Sequence, residues 1–159
     1  MQLDQNKENL IETIQEVINA MNISATICIY ENKIGDQTLN VASIKSDDNL
    51  SILIGKNGQN LKALEHVVKV VLGNKIRDFN FILDINDYRR SRVDYVVNRA
   101  QSVAVRVRET KRAEAMFPMT SYERRLVHME LASCTDVETE SIGDEPRRRV
   151  VIRPVNDFI

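Results

Sequence analysis

Two glycines three residues apart, Gly55 and Gly58, interrupt an apolar run and stand immediately before a helical stripe. The stretch reads Leu53-Ile54-Gly55-Lys56-Asn57-Gly58-Gln59-Asn60-Leu61. Glycines at this spacing let the backbone turn tightly and come close to another backbone. The helix that follows starts at the bend, so its free N–H groups and the positive end of its dipole favour a phosphate there. Lys56 adds a mobile charge at the tip. Ile52, Ile54 and Leu61 would line a groove beside it, suited to bases lifted out of a stack. A nucleotide-binding P-loop is excluded, because Gly55-Lys56 is followed by Asn57 rather than Ser or Thr and no glycine precedes at the required spacing.

The flanks supply the rest of a module. Leu10, Ile11, Ile14, Val17, Ile18 and Met21 fall at helical spacing, with Glu8, Glu12 and Glu16 on another face. Residues 23–30 and 38–44 predict a β-hairpin around a turn at 31–37 that contains Gly35. Asp47, Asp48 and Asn49 offer caps before the short run 50–54. Leu61, Leu64, Val67, Val68, Val71 and Leu72 form the stripe of the next helix, with Gly73-Asn74 at its end. Phe79, Phe81, Leu83 and Ile85 alternate with polar residues as a strand with one buried face. The order is α-β-β-α-(Gly-x-x-Gly)-α-β.

This order and the motif with its apolar flanks resemble a K-homology (KH) domain of the second topological type. In that family the loop clamps the backbone of about four nucleotides. Many members have basic residues at both central positions, so Asn57 implies a weaker phosphate grip.

A net charge of −1 gives no sign of a polyanionic partner, but it hides an asymmetry. Residues 1–86 carry 8 basic and 11 acidic side chains, and residues 87–159 carry 14 and 12. Seven of the first eight basic residues are Lys, whereas 13 of the later 14 are Arg, the side chain suited to planar contact with phosphate. The shift sets a boundary between two modules at residues 84–88. Asp87 is placed to cap a long helix with the stripe Val93, Val96, Val97, Ala100, Val103, Ala104 and Val107. Arg92, Arg99 and Arg106 recur every seven residues along it as one basic row. A row like this is as often a solvated face as an electrostatic footprint.

Pro118 ends that segment, and Thr120 with Glu123 forms a capping box that opens another helix. Arg124 and His128 lie four apart on it and project from one face, a compact set of donors for phosphate oxygens. Residues 135–141 and 148–152 predict a second hairpin, turned by Gly143-Asp144-Glu145-Pro146. Asp136, Glu138 and Glu140 on one strand, with Arg149 and Arg153 on the next, suggest a cross-strand ion-pair ladder. Arg148 has the opposite parity and is the better candidate for a ligand contact.

The blocks 116–128 and 139–152 resemble the R-3-H domain, which is named for its Arg-x-x-x-His and associated with single-stranded nucleic acid. With the first module they are similar, over nearly the whole chain, to the bacterial Jag (SpoIIIJ-associated) family. That family usually carries a further N-terminal domain and a charged linker, and neither lies within this sequence. The resemblance implies RNA binding in the cytoplasm and a post-transcriptional role in bacterial cell elongation or division. A small single-KH partner often accompanies it.

The expectation is therefore an α+β chain: a KH-like module over 1–86 and an R-3-H module over 87–159. Single-stranded RNA, or DNA of the same form, is its expected partner. Ile54, Gly55, Lys56, Asn57, Gly58, Leu61, Arg92, Arg99, Arg106, Arg124, His128 and Arg148 are the expected contacts. The alternative is an interaction scaffold whose KH surface forms a homodimer or recruits a partner, the RNA groove being vestigial. Asn57 and the acidic first module favour that alternative.

An enzyme is not expected. His66 and His128 sit in separate modules without a matched nucleophile or carboxylate. Cys28 and Cys134 form no metal or disulfide framework, so no cofactor or metal is expected. No signal segment or apolar run of spanning length is present, which suggests a cytoplasmic chain without membrane insertion.

Overall fold

A computed structural model describes residues 2–34, 37–73 and 79–155. It is a mixed α+β chain of two compact units, Met1–Arg89 and Arg90–Ile159.

In the first unit, α1 (Gln2–Ala20) buries Leu10, Ile14 and Ile18, one residue per turn. Asn22, at φ 56°, ends the helical path in the left-handed region that Asn tolerates. Strands β1 (Thr26–Ile34) and β2 (Gln37–Lys45) pair antiparallel from Thr26↔Lys45 to Ile34↔Gln37. The ladder thus runs through much of the segment expected to turn, because backbone pairing at an exposed hairpin end needs no apolar side chains. Gly35, expected in the turn, lies outside the described residues, as does Asn74. Then come α2 (Ser51–Ile54), a 3-10 turn (Lys56–Gly58), α3 (Gln59–Leu72) and β3 (Phe81–Ile85). β3 pairs parallel with β2, from Asn40↔Phe81 to Ile44↔Ile85, and this helical connection is the crossover that a parallel pair requires.

Leu10, Ile14 and Ile18 of α1 and Leu61, Leu64, Val68 and Leu72 of α3 meet Ala42, Ile44, Leu83 and Ile85 of the sheet in one core, whereas Met21, Val67 and Val71, expected in the stripes, are exposed. Asn49 works one position earlier than a cap: its Oδ1 accepts the Ser51 N–H at 3.0 Å, while Leu50 holds the N-cap position. β3 is buried more fully than the one-sided alternation implied. Asp84 is only 5% exposed, and its Oδ1 accepts the N–H groups of Ile85 and Arg89 at 3.0 and 3.1 Å. Asp87, expected as the cap, forms an ion pair with Lys45 at 3.5 Å.

The second unit is built on α4 (Tyr88–Thr110), whose Val96, Ala100, Val103, Ala104 and Val107 are buried. They pack with Val127 and Leu131 of α5 (Ser121–Leu131) and with Val137, Val150 and Ile152 of a three-stranded sheet. The sheet order is β4-β6-β5, with β4 at Glu114–Ala115, β5 at Val137–Ile142 and β6 at Arg149–Pro154. β5 and β6 form the expected hairpin. The two-residue β4 is too short to leave a periodic trace in the sequence. Arg153 reaches Glu140 at 2.7 Å, one rung of the anticipated ladder, whereas Arg149 donates to the Arg147 carbonyl at 3.3 Å.

Candidate nucleic-acid interface

The bend of the first unit is held by its own backbone chemistry. Gly55 has φ 68° and ψ −179°, a region essentially reserved for glycine. A Cβ added there would lie 2.5 Å from Asn60 Cγ. Asn60 fills that space and donates from Nδ2 to the Ile52 carbonyl at 2.7 Å, which ties α2 to the first turn of α3. Gly58, at φ 78°, is the N-cap of α3, and among the described residues no side chain caps the helix. The first turn holds no acidic residue, so its N–H groups and dipole meet no competing charge there. Lys56 and Asn57 are exposed at the tip. Asn57 has φ 55°, and that left-handed conformation favours Asn over a basic residue.

Gly55→Ala should therefore cost about 1–3 kcal/mol. The measurement is a shift of the denaturation midpoint, and an unshifted midpoint would show that the bend relaxes freely. Ile54 is half-buried beside the loop and Ile52 is 69% exposed. Leu61 corrects the expectation. It is 3% exposed inside the core, so it seats α3 and lines no groove.

In the second unit, the capping box forms as the spacing dictates. The Glu123 N–H donates to Thr120 Oγ1 at 3.3 Å, and the Thr120 N–H donates to Glu123 Oε2 at 2.7 Å. This fixes the start of α5 and aims Arg124 and His128 at one open cleft of about 420 Å³. Arg125, Ser121, Ser141 and Arg148 also line it, with Met129 and Ala132 as its apolar wall.

Arg124 is 8% exposed. Its Nη1 donates at 2.8 Å both to the Met119 carbonyl and to Glu145 Oε1. His128 is half-buried, with Nδ1 2.6 Å from Thr139 Oγ1 and Nε2 2.9 Å from Ser141 Oγ. Burial first, and then the Arg124 charge, hold its pKa below the ordinary imidazole range. A neutral ring donates from one nitrogen and accepts at the other, so His128 orients two hydroxyls rather than adding a second cation.

A depressed pKa in the folded state contributes stability above the ordinary value of about 6.5, and that stability is lost as pH falls through the lowered value. Urea denaturation should show the second unit weakening on acidification, and His128→Asn should flatten that dependence. An unchanged pH profile in the variant would remove His128 as its source.

The row on α4 divides. Arg92 Nε donates to Glu123 at 2.6 Å, and the Arg106 guanidinium donates to Glu114, holding that carboxyl below its usual range. Arg99 is exposed and makes no ion pair among the described residues. The same is true of Arg125 and of Arg148. Arg125, Ser121 and Ser141 were missed by sequence reasoning. Ser141 and Thr139 had a signal, since they alternate with Glu138 and Glu140 and so share the opposite face of their strand.

Among the described residues no helix is long and apolar enough to cross a membrane, and no cluster of three or more His, Cys, Asp or Glu side chains is placed to hold a metal.

Residues 96–154 match the family model of the R-3-H domain. Three relatives each bear the name RNA-binding protein KhpB. That of Clostridium symbiosum is 36% identical over 147 residues, covering 92% of this chain and 65% of the relative. That of Lactiplantibacillus plantarum is 32% identical over 145 residues, covering 90% and 43%. That of Streptococcus pneumoniae serotype 2 is 29% identical over 151 residues, covering 94% and 44%. The chain thus spans less than two thirds of the length of each. It matches the R-3-H domain model over residues 96–154, within a sequence similar along some nine-tenths of its length to proteins named RNA-binding protein KhpB.

Proposed function

We propose that this protein binds single-stranded RNA, and that it does so on both units. The observation that carries the reading is the cleft on α5. Arg125 and Arg148, without carboxylate partners among the described residues, open onto it beside Arg124, His128 and the Ser141 hydroxyl. Such a set neutralises phosphates and hydrogen-bonds their oxygens, which sets affinity and position rather than sequence preference. The first unit is read as a KH domain of the second type. Its uncapped α3 N-terminus, with Lys56 and Asn57 at the tip, takes the sugar–phosphate chain, and Ile52 and Ile54 lie against the bases. The names of the relatives support RNA as the ligand. A role in post-transcriptional control of bacterial cell elongation or division is the outermost part of the proposal.

Fluorescence anisotropy with a labelled mixed-sequence single-stranded RNA tests it. Binding at low ionic strength should weaken with salt, with a log–log slope of about −0.7 for each phosphate contacted. The absence of any salt-sensitive binding would overturn the reading.

One observation favours the scaffold alternative. Val67, Val70 and Val71 of α3 are exposed and adjacent, an apolar face for a second copy or a small KH partner. Light scattering distinguishes the two readings: a self-association that Val70→Lys abolishes, in a chain that retains no RNA, fits the scaffold alone.

A further inference from the structure

The chain has four Tyr, four Phe and no Trp, and the buried core of the second unit is aliphatic. Tyr95 stands outside that core, while Phe117 is half-buried against it. Tyr95 is 53% exposed on α4, and Phe117 lies beside it with ring centroids 5.7 Å apart and an interplanar angle of 32°. The Arg92 guanidinium sits over both rings, 5.5 Å from the Tyr95 centroid and 5.0 Å from that of Phe117. Glu123 grips Arg92 through Nε, and Glu123 is itself fixed by the capping box. Arg92, Tyr95 and Phe117 thus form an ordered aromatic–guanidinium platform at the surface, backed by a buried carboxylate. An exposed ring held in this way is a surface for stacking a planar π-system.

We infer that Tyr95 and Phe117, braced by Arg92, form a stacking platform for an unpaired RNA base, and that Arg99 takes an adjoining phosphate. The inference rests on the RNA-binding reading and names the residues that would engage a base. Glu123 cancels the Arg92 charge, so the platform contributes stacking without net charge. Arg99 stands four residues after Tyr95 on the same helix face and is exposed. Phe117 precedes Ser121 of the α5 cleft by four residues, so chain geometry keeps their Cα atoms within about 14 Å. One strand reaches both.

The test uses the full chain and an unlabelled mixed-sequence single-stranded RNA. Since the chain has no Trp, Tyr95→Trp gives a single reporter that retains a stacking face. RNA should quench its emission and bind it as tightly as it binds the parent. Tyr95→Ala should weaken binding roughly five- to a hundred-fold with an unchanged salt slope, because stacking releases no counterions. Arg99→Ala should instead reduce that slope by about 0.7. If the parent binds RNA while Tyr95→Ala binds equally well and the Trp emission does not move, the platform is overturned and the RNA-binding reading stands. If the parent binds no RNA, both fall.

Discussion

Glu123→Ala is expected to cost the second unit about 3–5 kcal/mol, the range for stripping the partner from a buried ion pair. The carboxylate is 5% exposed and receives three donors: the Thr120 N–H at 2.7 Å, the Thr120 hydroxyl at 3.0 Å and Arg92 Nε at 2.6 Å. Alanine removes the reciprocal cap of α5, a loss of about 0.5–2 kcal/mol by itself. It also leaves Arg92, whose side chain is 18% exposed, without that counter-charge. A domain's whole stability is about 5–15 kcal/mol, so the variant should sit near the edge of folding. Hydrogen exchange at α5 and β6 amides in the full chain measures it. Replacing Arg92 with Met and Glu123 with Leu together should recover most of the loss, because apolar volume then stands in place of the ion pair. A single-variant loss below about 1 kcal/mol would contradict the role given to Glu123.

The second large effect is on RNA affinity. Lys56→Asp with Asn57→Asp should raise Kd roughly ten- to a hundred-fold, the equivalent of about 1.5–3 kcal/mol for charge-assisted contacts. Both positions are exposed, and Asp tolerates the left-handed backbone of residue 57 nearly as well as Asn does. The melting temperature should therefore hold. Arg125→Ala with Arg148→Ala should act separately at the α5 cleft and lower the salt slope by about 0.7 for each phosphate that is no longer neutralised. Anisotropy titrations across a salt series read both quantities. If neither pair of substitutions moved Kd or slope, RNA would have to bind elsewhere on the molecule.

What the sequence disclosed follows from how local each cause is. The Thr120–Glu123 box, most of the stripes of α1, α3 and α4 (Met21, Val67 and Val71 excepted) and the β5–β6 hairpin all depend on residues within a turn or two of one another. The Gly55 and Gly58 conformations were legible because only glycine adopts them freely. Long-range closure was not legible. Arg124 shares a helix face with His128 as its spacing requires, yet its burial depends on the Met119 carbonyl and on Glu145, twenty-one residues away. Thr139 and Ser141 engage His128 from another element, eleven and thirteen residues on. Arg92, Arg99 and Arg106 looked equivalent as a heptad row. Glu123 and Glu114 make them different, since those carboxylates engage Arg92 and Arg106 while Arg99 makes no ion pair among the described residues.

The central claim is that unpaired RNA meets a glycine-framed bend and an arginine-lined cleft. A titration of single-stranded RNA into the uniformly 15N-labelled chain, followed by amide chemical shifts, tests it most directly. The largest shifts are expected at Gly55, Lys56, Asn57, Gly58 and Gln59 and around Arg124, His128, Ser141 and Arg148, attenuated by salt. Shifts confined to other surfaces, such as the outer face of α3 at Val67 and Val70, or no shifts at low salt, would contradict it.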